Sequence, residues 1–377
     1  MREARRELLS GNRLLAQGAL DAGCRFFSGY PITPSSEIYE TMMKELPARN
    51  GLALASPDEI TAMAQCVGAS LCGYKAMTAT SGPGWCLMIE TVQYAVMTET
   101  PVVIALVQRL GPSTGGATQG AQGDVLLAEF CTSGGYTLPV FAPATARQCY
   151  ELAQKAFYWS ERLRTPVVVL SDKEVGMTYE SVDVSSLVRW PEAERTPFTG
   201  GHGEFLTYAC ESLAEPPAFA PVGGRERVVA TGSAHDRAGR LRKNVPEAVK
   251  LLKHLETKIA ARAEEMALVE EELAANADTL VLSYGISARA ARAACRRLSR
   301  EGRRVSFLQL LTLFPVPMEA IRQAAEGCSR VVVVEENLQG LYASVLEQAV
   351  GKERVVRVNG LGRMITPGEI IEVTETA

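Results

Sequence analysis

Apolar and polar residues follow one another in blocks that predict alternating strands and helices over the first half of the chain. Short apolar runs predict strands at 25–30, 52–55, 76–80, 101–107 and 166–171, and the continuous apolar run at 101–107 is expected to be buried on both faces. Longer stretches with helical spacing predict helices at 11–24, 35–46, 59–74, 85–98 and 146–161. Because strands that alternate with helices form parallel sheets covered on both faces, residues 1–185 are expected to be a doubly wound α/β domain.

The alternation stops in the middle of the chain and returns towards its end. Prolines and glycine pairs interrupt the region up to residue 240, and helical spacing then predicts one long helix from Pro246 to Ala275. Strands are predicted again at 280–284, 305–310, 331–335 and 355–359, with helices at 288–301, 318–326 and 341–350. The expected fold class is therefore α/β, with two doubly wound parallel-sheet domains at 1–185 and 277–377. An irregular linker and the long helix, together 186–276, are expected to join them.

The composition excludes several classes of protein. Hydrophobic side chains make up 47% of the 377 residues, so a packed globular protein is expected. The net charge of −4 gives no basis for binding nucleic acid or a membrane surface. No apolar run approaches the roughly 18 residues of a membrane span, and residues 1–13 lack the apolar core of a signal peptide. A cytoplasmic protein is expected.

The spacing of cysteines and histidines predicts that this chain binds no metal. All nine cysteines occur singly, without a C-x-x-C pair, which disfavours an iron–sulfur cluster or a structural zinc. Buried reduced thiols are expected instead. The histidines at 202, 235 and 254 are too few and too scattered for a metal site or a catalytic triad. A nicotinamide site is also disfavoured, because no G-x-G-x-x-G follows the first strand of the second domain.

A turn at the end of the first predicted strand holds a candidate hydroxyl group. Within residues 29–37, Pro31 and Pro34 bracket Thr33 in a non-helical conformation. The two serines and the glutamate that follow suit the first turn of the next helix, where they would satisfy free amides. Because ligands of open α/β sheets bind at the carboxyl edge of the strands, Thr33 is expected to face a ligand there.

Charged residues stand at two further strand ends. Apolar residues flank Glu59, which favours a carboxyl group that shares a proton with a basic nitrogen of a ligand. Alternatively, Glu59 could simply stabilise the N-terminus of a helix. Arg109 suits a carboxylate or a phosphate, or alternatively a salt bridge to a neighbouring domain. Thr33 could equally be a plain turn residue. Ser113 and Thr114 could donate to an anion or to their own backbone.

The predicted helix at 59–74 is dense in small residues. These are Ala62, Ala64, Gly68, Ala69, Ser70 and Gly73. Small side chains at this density indicate close backbone approach, either to another helix or to a partner subunit.

Taken together, these segments resemble a known family. Glu59, the small-residue helix and Thr80-Ser81-Gly82-Pro83-Gly84 resemble the pyrimidine-binding domain of thiamine-diphosphate enzymes. Residues 29–37 and 108–124 resemble more specifically the alpha subunit of the 2-oxoacid:ferredoxin oxidoreductases. The length of the chain and residues 231–239 resemble the 2-oxoglutarate branch of that family. The resemblance implies a pyrimidine-binding domain followed by a domain similar to the transketolase C-terminal domain.

The resemblance also implies a role for each candidate residue. Glu59 would protonate the aminopyrimidine ring of thiamine diphosphate, and Thr33 and Arg109 would hold the carboxylate of the oxoacid until CO2 leaves. The catalytic residues would be Glu59, Arg109 and Thr33. The cofactor-binding residues would be Glu59, Pro31, Ile32 and Arg109. The substrate-binding residues would be Thr33, Arg109, Ser113 and Thr114.

Partner chains follow from the same resemblance. This chain has no Gly-Asp-Gly…Asn segment, so the thiamine diphosphate would be shared with a beta subunit that binds the diphosphate and Mg²⁺. The [4Fe-4S] clusters would also belong to partner chains, with gamma and delta subunits as candidates. Coenzyme A would accept the acyl group and ferredoxin the electrons, in a dimer of heteromers.

Two other interpretations stay open. A branched-chain or aryl 2-oxoacid could be the substrate, because residues 116–118 and 121–122 depart from the usual proline and glutamate of the family. The chain could instead be a non-catalytic paralogue that only forms interfaces. Such a chain would have no need for Glu59, Arg109 and Thr33 at three sheet-edge turns.

Overall fold

The computed structural model describes residues 5–200 and 204–376. Its first half contains eight strands and seven α-helices in the order β1 (Arg6–Ser10), α1 (Gly11–Asp21), β2 (Phe26–Gly29), α2 (Ser36–Glu45), β3 (Leu52–Ala55), α3 (Glu59–Leu71), β4 (Ala76–Thr80), α4 (Gly82–Met97), β5 (Val103–Gln108), α5 (Val125–Glu129), β6 (Val140–Phe141), α6 (Ala146–Leu163), β7 (Val167–Asp172), α7 (Lys173–Met177) and β8 (Tyr179–Asp183).

The second half begins after a long irregular stretch. Its elements are α8 (Pro246–Ala260), α9 (Ala263–Met266), β9 (Val269–Glu272), β10 (Thr279–Tyr284), α10 (Ser287–Arg300), β11 (Val305–Leu310), β12 (Thr312–Phe314), α11 (Met318–Ala324), β13 (Arg330–Glu335), α12 (Leu341–Val350), β14 (Val355–Asn359) and α13 (Pro367–Thr376). None of the described helices is both long enough and apolar enough to cross a bilayer.

Two parallel-rich sheets form the framework, as predicted. The first has the strand order β12-β6-β7-β5-β4-β2-β3, and the second β14-β13-β10-β11-β9. Every residue of β5 and of β7 is buried, as expected for central strands covered by helices on both faces. A single buried cluster runs from α4 and β5 to β10, β11 and α12, so the two domains share one apolar core.

The predicted long helix over 246–275 is wrong in its second part. Helix α8 ends at Ala260, and Val269–Glu272 forms the edge strand β9, antiparallel to β11. Arginines of α10 pair with the acids of β9, with Arg296 Nη2 2.7 Å from Glu272 Oε1. Pairing with a distant strand therefore overrides the local helical pattern. The domain limits at 185 and 276 stay a prediction.

The linker contains no strand or helix within 187–200 and 204–245, which confirms the prediction of little regular structure there. It is anchored on the first domain through Arg195, whose Nε lies 2.7 Å from Glu161 Oε2. The guanidinium of Arg195 also lies 4.4 Å from the ring centroid of Phe219, another linker residue. The contacts of Arg195 thus help to hold the irregular backbone of the linker on the first domain.

Close packing of α1 on α6 depends on a glycine. A Cβ built on Gly18 would meet the carbonyl of Tyr150 and lie 3.1 Å from Cβ of Ala153. We expect Gly18→Ala to lower the free energy of unfolding by about 1–3 kcal/mol, as overpacking does. Gly68→Ala in α3 is the matched control, because its Cβ would meet nothing within 4 Å. That variant should gain up to about 1 kcal/mol from helix propensity. Urea unfolding of both variants measures the difference, and equal effects would contradict the packing argument.

Candidate functional site

The turn after β2 is held by side chains that bind its backbone. The carbonyl oxygen of Thr33 accepts a hydrogen bond from Arg109 Nη1 at 2.6 Å, and that of Ile32 accepts one from Ser35 Oγ at 2.9 Å. Ser35 occupies the N-cap position of α2 as expected, but its hydroxyl donates backwards into the turn and makes no cap bond to the helix. Two separate contacts fix the position of Thr33 at the carboxyl edge of the first sheet.

Glu59 opens α3 and is only 5% exposed. The residue that caps this helix is Asp58, whose Oδ1 accepts from the amide of Thr61 at 2.7 Å. The Glu59 carboxylate therefore does not serve as the cap. It lies against the start of α4, where a Cβ on Gly84 would fall 2.5 Å from both Cγ and Oε1 of Glu59. Because Gly84 has no Cβ, the start of α4 packs directly against the Glu59 side chain.

Arg109 follows β5 directly and is 7% exposed. Its Nη1 donates to the neutral carbonyl of Thr33, and its buried Nε has no hydrogen-bond partner among the described residues. A guanidinium is always charged, and leaving a buried charge without an anion is costly. These contacts favour an anionic ligand over the alternative of a salt bridge to a neighbouring domain.

A cavity of about 440 Å³ lies between the two domains beside Arg109. Its polar lining includes Arg109, Ser113, Asp124 and Asn337, and its apolar lining includes Leu110, Leu127, Leu338, Leu341 and Leu361. Ser113 and Thr114 are both exposed, but only Ser113 lines the cavity. Glu59, Pro31, Ile32 and Thr33 also lie outside the cavity lining. The structure therefore unites Arg109 with Ser113, and with Thr33 through a hydrogen bond.

Asp124 is a cavity residue that reasoning from the sequence did not single out. Burial raises its pKa to about 6, against the opposing effect of the Arg109 charge. Its amide donates to Gln108 Oε1 at 3.0 Å, and its buried Oδ2 has no partner among the described residues. A Cβ on Gly82 would lie 2.9 Å from its Oδ1. The start of α4 therefore lies between two acids, the buried Glu59 and the half-buried Asp124.

The side chain of Gln122 joins the glycine-rich loop to the second domain. Its Nε2 donates to Asp172 Oδ2 at 3.2 Å and to the carbonyl of Tyr284 at 3.1 Å, and its Oε1 accepts from the amide of Glu336 at 2.8 Å. Asn337 Nδ2 donates to the Gln122 carbonyl at 3.1 Å. The signal for Gln122 and Asp124 was the Gln-Gly-Asp run after the glycines, whereas nothing in the sequence marked Asn337.

The cysteines differ in part from expectation. Six are buried, but Cys72 and Cys86 are exposed, and Cys210 is intermediate. Within the described ranges no group of three or more His, Cys, Asp or Glu side chains could hold a metal ion. His202 lies outside the described residues.

Two family profiles match the chain. Residues 17–249 match the thiamine diphosphate-binding domain of pyruvate flavodoxin/ferredoxin oxidoreductases, and residues 277–374 match core domain II of pyruvate:ferredoxin oxidoreductase. The first domain is therefore a thiamine diphosphate-binding domain. The chain as a whole belongs to the 2-oxoacid:ferredoxin oxidoreductase family, as an alpha subunit, which confirms the expected fold class and family.

Individual relatives share this organisation. The chain is 39% identical to 2-oxoglutarate synthase subunit KorA of Methanothermobacter marburgensis, over 96% of each chain. It is 30% identical to ketoisovalerate oxidoreductase subunit VorB of Methanothermobacter thermautotrophicus, over 98% of this chain and 95% of that one. A structure of 2-oxoglutarate:ferredoxin oxidoreductase from Magnetococcus marinus, with 2-oxoglutarate, coenzyme A and succinyl-CoA bound, superposes with a TM-score of 0.93 at 28% identity. The match covers 100% of this chain and 66% of the Magnetococcus chain.

Proposed function

We propose that this chain is the catalytic alpha subunit of a 2-oxoglutarate:ferredoxin oxidoreductase. The complex would decarboxylate 2-oxoglutarate oxidatively to succinyl-CoA and CO2 and pass the electrons to ferredoxin. The reaction would be reversible. The observation that carries the proposal is that a buried acid, Glu59, and a buried guanidinium without an ion-pair partner among the described residues, Arg109, both follow strands of the first sheet at its carboxyl edge. The similarity to four KorA subunits, between 36% and 39% identical, supports 2-oxoglutarate as the substrate.

The surroundings of Glu59 fit the aminopyrimidine ring of thiamine diphosphate. Its carboxylate does not cap α3 and so is available to a ligand, and Gly84 lets the start of α4 pack directly against it. Glu59 would hold a proton at a ring nitrogen, while Pro31 and Ile32, on the turn after β2, would contact the ring. When bound, the cofactor supplies the nucleophilic carbon and the electron sink.

The substrate carboxylate would bind at Arg109. The guanidinium has a free Nε, and Thr33 is fixed next to it by the hydrogen bond from Nη1 to its carbonyl. Ser113 lines the same cavity and would donate to the oxoacid. Thr114 follows Ser113 in the same loop and is exposed, so it would contact the oxoacid only from the edge of the cavity. Coenzyme A would enter as cosubstrate.

The exposed face of α3 would bind the beta subunit that holds the diphosphate and Mg²⁺. Ile60, next to Glu59, is 49% exposed, and Ala64 and Gly68 follow it at intervals of four residues on the same face. No atom lies within 4 Å of a Cβ built on Gly68, so the helix is not packed there by its own chain. A dimer of such heteromers in the cytoplasm, with iron–sulfur clusters in partner chains, would complete the enzyme.

Gly68→Trp tests this face. The bulky ring should leave the folding of the isolated chain unchanged, because the position is open, but it should abolish co-purification with the beta subunit. Size-exclusion chromatography of co-expressed chains measures assembly. The control is Arg322→Trp, which puts the same ring on the exposed side of α11 in the second domain. Full assembly of the Gly68→Trp variant would show that the partner binds elsewhere.

The function itself is tested on the complex purified with its partner chains. Reduction of ferredoxin that depends on coenzyme A should show the highest kcat/KM with 2-oxoglutarate in a panel of oxoacids. A preference for branched oxoacids would favour the second candidate, since VorB is 30% identical and the cavity has five leucines in its lining. A complex that binds thiamine diphosphate but turns over no oxoacid would support the non-catalytic paralogue.

A further inference from the structure

The cavity between the domains contains an acid that neither the family comparison nor the proposed roles explain. Asp124 and Arg109 line the same cavity, and each has one buried polar atom without a hydrogen-bond partner among the described residues, Oδ2 and Nε. A buried donor or acceptor without a partner costs free energy, which a bound ligand can recover. Two such atoms of complementary chemistry on one cavity indicate a ligand group between them.

The chemistry of the two groups restricts what that ligand group can be. Arg109 is a permanent cation with donors only, so it requires an acceptor such as a carboxylate. Asp124 in its neutral form adds one O–H donor, and in its ionised form it is an acceptor only. A carboxylate between the two is therefore held from both sides when Asp124 is neutral. It is repelled from one side when Asp124 carries a charge.

We propose that Asp124 is a second substrate-binding residue of this site, whose neutral carboxyl donates a hydrogen bond to the oxoacid carboxylate held by Arg109. This inference rests on the proposed function. It also makes substrate binding depend on the charge of Asp124, because ionised Asp124 replaces the substrate carboxylate as the counter-ion of Arg109. Once the substrate carboxylate has left as CO2, ionised Asp124 would again serve as the counter-ion of Arg109.

The surroundings of Asp124 let it titrate near neutral pH. Burial raises its pKa to about 6, and Arg109, at the end of β5, is the cation that lowers it. From α4, the thiol of Cys86 faces Asp124, whose charge helps to raise the pKa of that thiol. The backbone of Gly82 packs on the carboxyl group from the same helix. Because the folded-state pKa is raised, Asp124 is neutral below about pH 6 and becomes charged above it.

The test is the pH dependence of KM in the assembled complex. For the wild type, KM for the oxoacid should rise above pH 6 by up to about tenfold per pH unit. Asp124→Asn keeps a donor and removes the charge, so its KM should be nearly independent of pH. At pH 8 it should be at least about tenfold lower than that of the wild type. A profile for Asp124→Asn that runs parallel to the wild type would overturn the proposal, as would a wild-type KM that is flat from pH 5.5 to 8.5.

Glu129→Gln is the matched control. Glu129 lies on α5, five residues after Asp124, and burial raises its pKa to about 7, but it does not line the cavity. Its variant should keep the wild-type dependence of KM on pH. If Glu129→Gln removes that dependence and Asp124→Asn retains it, the titrating group is Glu129 and the inference fails.

A binding measurement separates this inference from the proposed function. Oxamate carries the carboxylate and carbonyl common to all 2-oxoacids and is not decarboxylated, so calorimetry on the wild-type complex needs no turnover and no variant. Its affinity should fall above pH 6 with the same slope as the kinetic effect. If oxamate binding depends on pH but no oxoacid is turned over, only the proposed function is refuted. Turnover with pH-independent oxamate binding would refute the role of Asp124 alone.

Discussion

Replacing Glu59 by Gln in the assembled complex is expected to lower the rate of oxoacid decarboxylation about 10²–10⁴-fold, as the loss of a general acid–base group does. The amide has the same shape, and the cap of α3 is formed by Asp58, so the helix and the packing of residue 59 against Gly84 should persist. Glutamine cannot exchange a proton with a ring nitrogen. Release of CO2 from labelled substrate measures the step directly.

The interpretation of this variant requires that assembly and cofactor binding survive. Thiamine content and size-exclusion elution should match the wild type. Glu40→Gln on the exposed side of α2 is the matched control, with full activity expected because its side chain faces solvent. Undiminished CO2 release by Glu59→Gln would refute the proposed role of this residue in the reaction.

Glu99→Gln is expected to cause the largest loss of stability. Glu99 is 2% exposed and its Oε2 lies 2.8 Å from Lys258 Nζ and 3.0 Å from His254 Nε2, both on α8. Removing the anion leaves the buried ammonium group of Lys258 unpaired. Loss of one partner of a buried ion pair costs about 3–5 kcal/mol. Urea unfolding of the purified chain, followed by tryptophan fluorescence, measures the change.

The pH dependence of this difference follows from the pKa of Glu99. Burial alone would raise that pKa, but Lys258, His254 and Arg164 together hold it below its ordinary range. A depressed folded-state pKa contributes stability above the unfolded-state pKa, and this contribution is lost as the pH falls through the folded value. The advantage of the wild type should therefore be complete at neutral pH and shrink below the ordinary glutamate value of 4.5.

Glu301→Gln provides the contrast for Glu99→Gln. Glu301 pairs with Arg297 at 3.0 Å on the exposed side of α10, where 46% of its side chain is accessible. Exposed pairs of this kind contribute about 0–1 kcal/mol. Equal losses in the two variants would mean that the Glu99 cluster contributes no more than a surface pair and that α8 is held by its apolar face alone.

Several strands of the two sheets were predicted accurately because their pattern is local. The strands at Leu52–Ala55, Ala76–Thr80, Val305–Leu310 and Val355–Asn359 have the predicted bounds. The errors concern elements that depend on distant partners. Strand β9 pairs with β11, and β12 leaves the second domain to pair with β6 at the edge of the first sheet. No local pattern reports a pairing across such a separation.

The sequence by itself determined the two-domain α/β fold, the three turns that carry Thr33, Glu59 and Arg109, and the family to which their spacing belongs. Only the tertiary structure decided that Asp58 and not Glu59 caps α3, that Arg109 binds the Thr33 carbonyl, and that Asp124 faces the same cavity. The physical reason is that periodicity and turn chemistry act within a few residues of the chain. Burial, unpaired charge and shared cavities arise only when remote strand ends meet.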